Sequence, residues 1–366
     1  MACQNIIQKL NTKAKDVIEK YLGPNSLIPN KRRKLNKNFT SRTSSQRTII
    51  DLTRAMLDKT YDVPGPNVTL NIVENIYLFD IDPLLYGEGI IRGRYDGLII
   101  NFMDNSIVAD GSIARGIVIG VEEEFRTSFQ IMNGTFSGLN SISVFATNID
   151  DMRVNNMTFS DNITTDQYAG ELLTGPFLFN CTDLLVDNTK IKTTISTALK
   201  RSVMVSPIVL FNCVGTVNNL QVTDGASDFG ECVGFFSTSF DPDLLGPTIT
   251  NTSVVGITAT DGVMGMVVVT PPGTPVFNPR LDGNQIVNLL SSGNNTVATG
   301  IAVNAMKNAS IFNTTVTMVR NNTSIDEEDP VLAAALDVGD SSVNFIVDSS
   351  FIITEYTTSN KSKKKA

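Results

Sequence analysis

Side chains that ionise, attack or coordinate set what a chain can do, and this one has an unusual set. It has no His and no Trp in 366 residues. Without His the commonest general base and the commonest metal ligand are missing, so acid–base work would fall to carboxylates. Asp150-Asp151 is the only adjacent Asp pair. Asp224, Asp228 and Glu231 lie close together, Asp241 and Asp243 are two apart, and Asp326-Glu327-Glu328-Asp329 is a continuous run. Such oxygen ligands suit Ca2+, the one cofactor they leave open. Their spacing is neither an EF-hand loop nor a Gly-Gly-x-Gly-x-Asp repeat, and solvated acidic loops are the ordinary reading. Cys3, Cys181, Cys213 and Cys232 show no CxxC spacing, and Cys232 has no His to activate it. Gly87-Glu88-Gly89 and Gly111 lack the strand–loop–helix context of a phosphate loop. No catalytic, cofactor-binding or metal-ligating residue is assigned, and Asp150 and Asp151 read as turn residues.

The elements that must position these groups are repeats. An apolar residue, then Asp or Asn, then a small or turn-forming residue, recurs along the chain. It opens at Met132, Val154, Val186, Val217, Ile249 (with Thr in the second place), Leu281, Phe312 and Val347. The intervals are 22, 32, 31, 32, 32, 31 and 35 residues, and a near-fixed period of this length signals stacked repeats. Apolar runs precede the phrase, as in Phe177-Leu178-Phe179-Asn180-Cys181 and Ile208-Val209-Leu210-Phe211-Asn212-Cys213. One strand triplet cannot bury its apolar face alone, whereas stacked units bury it and pair each backbone with the next. Asn and Asp fit the corners because they tolerate left-handed backbone angles. Asn180 and Asn212, 32 apart, are expected to form a ladder. Cys181 and Cys213 are expected to point inward as small hydrophobes. An antiparallel β-sandwich also has many short strands, but it requires no constant period.

This grammar, over residues 67 to 357, resembles the right-handed parallel β-helix of the pectin-lyase-like superfamily. The resemblance implies an all-β, single-stranded parallel β-helix, to which the helical spacing of the N-terminal residues adds a small helical cap. It is specific for fold and poor for function, since polysaccharide lyases and hydrolases, phage tailspikes, viral fibres and adhesins share it. Asp150-Asp151 resembles the carboxylate doublet of polygalacturonase-type hydrolases. Their Asn-Thr-Asp, Gly-His-Gly and Arg-Ile-Lys motifs are absent here, as is the Arg-x-Pro-x-x-Arg motif of pectate lyases. The resemblance thus implies a non-enzymatic structural or attachment protein, a virion or surface component, with a homotrimer as its oligomer. The alternatives are a polysaccharide-active enzyme and a glycan-binding module, for which Tyr168 is the obvious loop-side aromatic.

The remaining sequence divides into residues 1–62, a basic helical segment and cap; 63–357, the solenoid; and 358–366, a basic disordered tail. Residues 1–60 carry a net charge of +9, residues 61–360 carry −21 and residues 361–366 carry +4. In residues 3–22, Ile6, Leu10, Ala14, Val17 and Tyr21 share one helical face, stopped by Gly23-Pro24. This helix packs on an open solenoid end or a partner, joins copies, or lies on a membrane surface. A second helix is expected over Thr43–Thr60, with Thr43-Ser44-Ser45-Gln46 as a capping box and Ile49, Leu52 and Met56 as its stripe. Between them, Lys31-Arg32-Arg33-Lys34 and Lys37 form a solvated basic linker. It has one aromatic, Phe39, which gives poor support for nucleic-acid contact. Loops at 161–170, 189–202, 224–230, 261–265, 291–299 and 321–329 are expected to line one side of the rod. No run of 18 apolar residues exists, so no membrane span is expected. Residues 1–22 lack the apolar run of a signal peptide, which points to a virion or cytoplasmic setting. Thirteen Asn-x-Ser/Thr sequons are then by-products of Asn- and Thr-rich corners.

Overall fold

The computed structural model describes residues 2–23, 47–120, 125–167, 172–200, 202–240, 245–270, 276–277, 279–292, 296–304, 306–307, 309–322, 333–338 and 346–358. The chain is a parallel β-solenoid with one α-helix, Ala2–Leu22, termed α1. Strands of successive turns add in register to three columns. The first sheet runs through Arg115–Ile119, residues 142–147, Leu172–Thr182, Val209–Phe211, Glu231–Thr238, Gly262–Val269 and Val297–Asn304. The second runs through Thr48–Leu52, Val68–Ile72 and Ile99–Asn101 up to Leu184–Asp187, Gly215–Asn218, Thr248–Thr250 and Arg280–Asp282. The third includes Ile76–Leu78, Ser106–Ala109, Lys190–Ser196, Gln221–Ser227, Ser253–Ala259 and Gln285–Ser291.

The sequence period is the register of the second sheet. Val154, Val186, Val217, Ile249 and Leu281 pair in line and are fully buried. Each such group contributes about 1.5–3 kcal/mol by leaving water. The repeat phrase slips by one residue at two places. Ile131, not Met132, pairs with Val154, and Ile311, not Phe312, pairs with Leu281. The fixed point of each turn is the corner residue in the left-handed region. It stands second in the phrase at Asn133 and Asn313, and third at Asn156, Asn188, Asn219, Asn251 and Gly283.

Asparagine holds these corners for two reasons. It tolerates positive φ, and its side chain links to the turns on either side. The amide of Asn156 donates to Asn133 at 3.1 Å, Asn188 to Asn156 at 2.6 Å, and Asn219 to Asn188 at 3.0 Å. A second ladder holds the corner between the first and second sheets. There Asn180 donates to Asn148 at 2.9 Å and Asn212 to Asn180 at 3.1 Å, as the 32-residue spacing predicts.

Two expectations are corrected. No helix forms over the described part of 43–60. Thr48–Leu52 is a strand paired with Val68–Ile72, and only Arg54–Met56 makes a short 3-10 turn. The β-branched run Thr48-Ile49-Ile50 favours extended backbone, and in-register pairing supplies its hydrogen bonds. The supposed stripe is split, because Ile49 is exposed while Leu52 is buried. Its capping box and the basic linker lie outside the described residues. Several expected loops are strand instead. Residues 190–196 of the expected loop 189–202 and residues 224–227 of the expected loop 224–230 are extended, with left-handed kinks at Thr193 and Asp224, and the strand Gln285–Ser291 carries the same kink at Asn288. Turn-forming residue types at that kink mimic a loop in sequence. The inward positions continue across it, as Ile191, Thr194 and Ser196 in one strand and Ile286, Leu289 and Ser291 in another.

The N-terminal helix is present, but it does not close an end of the solenoid. Ile6, Ile7, Leu10, Ala14 and Ile18 are buried against the outer side of the first sheet, among Phe145, Phe177, Phe211, Phe236 and Val267. The first sheet thus has the interior on one side and α1 on the other. A helix of 21 residues spans roughly 31 Å, long enough to cross about six strands at roughly 4.8 Å spacing.

Candidate functional site

The carboxylates singled out in sequence are placed apart and given separate partners. Asp150 accepts the Thr182 hydroxyl of the next turn at 2.6 Å. Asp151 takes a corner at φ 62° and is ion-paired with Arg153 at 2.7 Å. Asp224 occupies the exposed kink of the third sheet, and Asp228 is exposed at the following corner. Glu231 is turned the other way, into the first sheet's outer face, where it is 3% exposed and paired with Lys9 of α1. The trio therefore forms no cluster. Among the described residues no group of three or more His, Cys, Asp or Glu is placed to hold a metal ion. Asp241, Asp243, Asp326–Asp329 and Tyr168 lie outside the described residues.

The other candidates are structural where they are described. Cys181, Cys213 and Cys232 are free thiols buried in the interior. Cys213 Sγ donates to the Leu178 carbonyl at 3.2 Å. Burial, with Cys213 as hydrogen-bond neighbour, pushes the Cys181 thiol well above its ordinary range, which disfavours the nucleophilic thiolate. Glu88, in Gly87-Glu88-Gly89, pairs with Arg92 and follows the short 3-10 turn Pro83–Tyr86. Asp110 beside Gly111 accepts both the backbone N–H and the hydroxyl of Ser112.

Two features were not anticipated in sequence. The first is the α1-covered face. At its far end Ile6 packs against Gly262, where an added Cβ would lie 2.5 Å from Ile6 Cδ1. Midway, Lys9 meets Glu231, and Lys15 Nζ sits 4.1 Å from the centre of the Phe240 ring. At the near end Tyr21 stacks on Phe145 at 4.2 Å, and the Arg115 guanidinium lies 4.2 Å from the Tyr21 ring. Burial pushes the Tyr21 hydroxyl up to about 12, against the opposing pull of Arg115. The signal for this face was the strand composition: Val263-Met264 and Met266-Val267-Val268-Val269 are apolar at both parities, the mark of a strand buried on both sides.

The second feature is an exposed apolar band near the start of the third sheet. Tyr77 and Phe79 flank the inward Leu78, with their rings 5.7 Å apart and about half exposed. Leu84 and Leu85 follow them, and Leu84 is 85% exposed. Val73 and Met103 are exposed at the preceding corner of this turn and the next. Aromatic faces of this kind stack on sugars or on apolar partner surfaces.

Among the described residues no helix is long and apolar enough to cross a membrane. No protein-family model and no curated protein sequence matches the chain. Similar solved structures include an endo-xylogalacturonan hydrolase from Aspergillus tubingensis, at 12% identity and TM-score 0.26, covering 83% of this chain and 92% of that one. Another is the surface protein and adhesin PfbA of Streptococcus pneumoniae, at 9% identity and TM-score 0.22, covering 80% and 91%.

Proposed function

We propose that this chain is a non-enzymatic structural or attachment protein, a virion or surface component built as a rod. The supporting observation is the use to which the carboxylates are put. Sugar-bond hydrolysis requires a carboxylic acid and a carboxylate free to act on opposite sides of the bond. Asp150 and Asp151, the pair nearest to that chemistry in sequence, are tied to Thr182 and Arg153 in a corner. The likeness of the rung grammar to viral fibres supports the virion setting. Attachment is assigned to the exposed Tyr77–Phe79 band, which makes a glycan the first ligand class to try.

The test is one incubation series. The purified chain, with and without Ca2+, is mixed with a broad polysaccharide panel. Reducing ends, unsaturated-uronate absorbance and retained protein are all read. Expected are no product, and retention that is lost in the Tyr77→Ala/Phe79→Ala variant. Product formation that disappears in Asp150→Asn/Asp151→Asn would overturn the reading.

A further inference from the structure

We propose that α1 is an exchangeable helix: the outer face of the first sheet accepts the α1 of a second copy of this chain, and copies are joined in this way.

Four observations lead there. First, the face cannot stand bare. Phe145, Phe177, Phe211, Phe236 and Val267 are fully buried with α1 in place, and losing the helix would open a contiguous apolar strip. Monomeric proteins rarely expose more than a few hundred Å² of such surface. Second, α1 depends on the face, because a helix in a protein draws most of its stability from packing its amphipathic face rather than from propensity. Each part needs its counterpart, whichever copy supplies it.

Third, the seat has a fixed register. Glu231 is buried and takes its cation from Lys9, while Ile6 fills the space left by the missing side chain of Gly262. A helix moved one turn in one direction would set Asn5 over Glu231 and leave that carboxylate without a cation, which is costly; moved the other way it would set Lys13 there and take Ile6 away from Gly262. The opposite face of α1 is polar, with Gln4, Gln8, Asp16, Glu19 and Lys20 exposed. An exchanged helix therefore leaves the solvent surface unchanged.

Fourth, the tether is far longer than a link within one copy requires. The C-terminal end of α1 lies on Phe145 and Arg115. The chain re-enters the solenoid at Thr48, only a few strands away in the stack. Four strand spacings of roughly 4.8 Å make this about 19 Å along the axis. The 25 residues from 23 to 47 reach roughly 80 Å when extended. That surplus lets the helix seat on a neighbouring copy with no new interface chemistry, the usual route to element exchange.

The experiment pairs single variants in a Cys3→Ser background. One chain carries Ile6→Cys and the other Gly262→Cys; they are co-expressed, purified and mildly oxidised. A covalent dimer on a non-reducing gel is the expected result. The double variant, oxidised alone at high dilution, shows that the two positions link when seated. In parallel, light scattering of the unmodified chain is followed over concentration, with and without a synthetic peptide of residues 1–23. Exchange predicts oligomers that the peptide dissociates. A chain that stays monomeric at every concentration, or oligomers that saturating peptide leaves intact, would overturn the proposal. So would a double variant that links only within itself while the co-expressed pair gives no dimer.

Discussion

The first and third sheets are laid down by the same turns, yet they are built to different rules. In the first sheet Glu231–Thr238 and Gly262–Val269 are buried at every position. In the third, Ser253–Ala259 and Gln285–Ser291 bury their inward residues and leave polar ones such as Ser253 and Gln285 to the outside. The interior is common to both, so the difference lies outside. A sheet covered by a helix needs apolar residues at both parities, and a bare one needs alternation. Strand composition in this solenoid therefore reports which face carries a second layer.

The sharpest way to break the comparison is to truncate one outward residue on each sheet. Phe211 points under α1 between Phe179 and Phe240, with ring centres 5.6 and 5.0 Å away. Phe211→Ala is expected to cost about 3–5 kcal/mol, as for a core phenylalanine. Lys192→Ala, outward on the third sheet, should stay within about 0.5 kcal/mol. Denaturant unfolding of both variants decides the matter. Equal effects would mean that the outer side of the first sheet is not a core.

The ion pair under the helix gives a smaller contrast. Lys9 is more than half exposed, but Glu231 is not, so Lys9→Ala strands a buried carboxylate. The expected loss is about 1–3 kcal/mol, partly recovered in the double variant with Glu231→Gln. Breaking a surface pair of the bare sheets, such as Arg280–Asp282, should have a smaller effect, because water screens it. A double variant no better than Lys9→Ala would show that lost packing of the lysine stem, rather than the stranded charge, causes the effect.

The same contrast explains what could be read from the residues. The period was legible because the left-handed corner admits few residue types, and Asn188, Asn219 and Asn251 repeat there. Register was less legible at Met132 and Phe312, because the corner Asn stands one place earlier and lends its apolar neighbour a false inward look. The kinks at Thr193 and Asp224 passed for loops, since turn-forming types fit a bend inside a strand as well as an end. Helical spacing in Ile49, Leu52 and Met56 misled because three apolar residues fit two periods, and strand pairing across turns decided between them. Both parities of Val263–Val269 were apolar in plain view, but a hydrophobic run alone does not say what covers its outer side. The exposed Tyr77 and Phe79 were hidden by an interior of the same residue types, being set apart only by their parity against Ile76 and Leu78.

Corner ladders should respond in a graded way. Asn180 sits at φ 52°, donates to Asn148 and accepts from Asn212. Asn180→Ala loses both bonds and strains the backbone, for about 2–4 kcal/mol in all. Asn180→Gly keeps the backbone free and should lose roughly half as much. Thermal unfolding of the pair separates the two contributions. Equal losses would assign everything to the amide ladder.

The smallest effects lie in the pH profile, and its two arms belong to the two kinds of face. On the bare side, the hydrogen bond from Arg280, and then that from the Asn313 amide, hold the Asp282 carboxyl below its ordinary 3.8. A depressed folded value gives stability that is present above about 3.8 and is lost as pH falls through the folded value. On the covered side, Tyr21 is raised from 10.0 to about 12 by burial under the helix end. A raised value gives stability that is complete below 10 and is lost as pH climbs towards 12. Asp282→Asn should therefore flatten the acid arm and leave the alkaline arm alone, whereas Tyr21→Phe should do the reverse. Helix content followed across the alkaline arm adds the decisive detail. If α1 melts together with tyrosinate formation while the solenoid signal holds, the covered face is the part that opens. If both signals fall together, the helix and the first sheet unfold as one body.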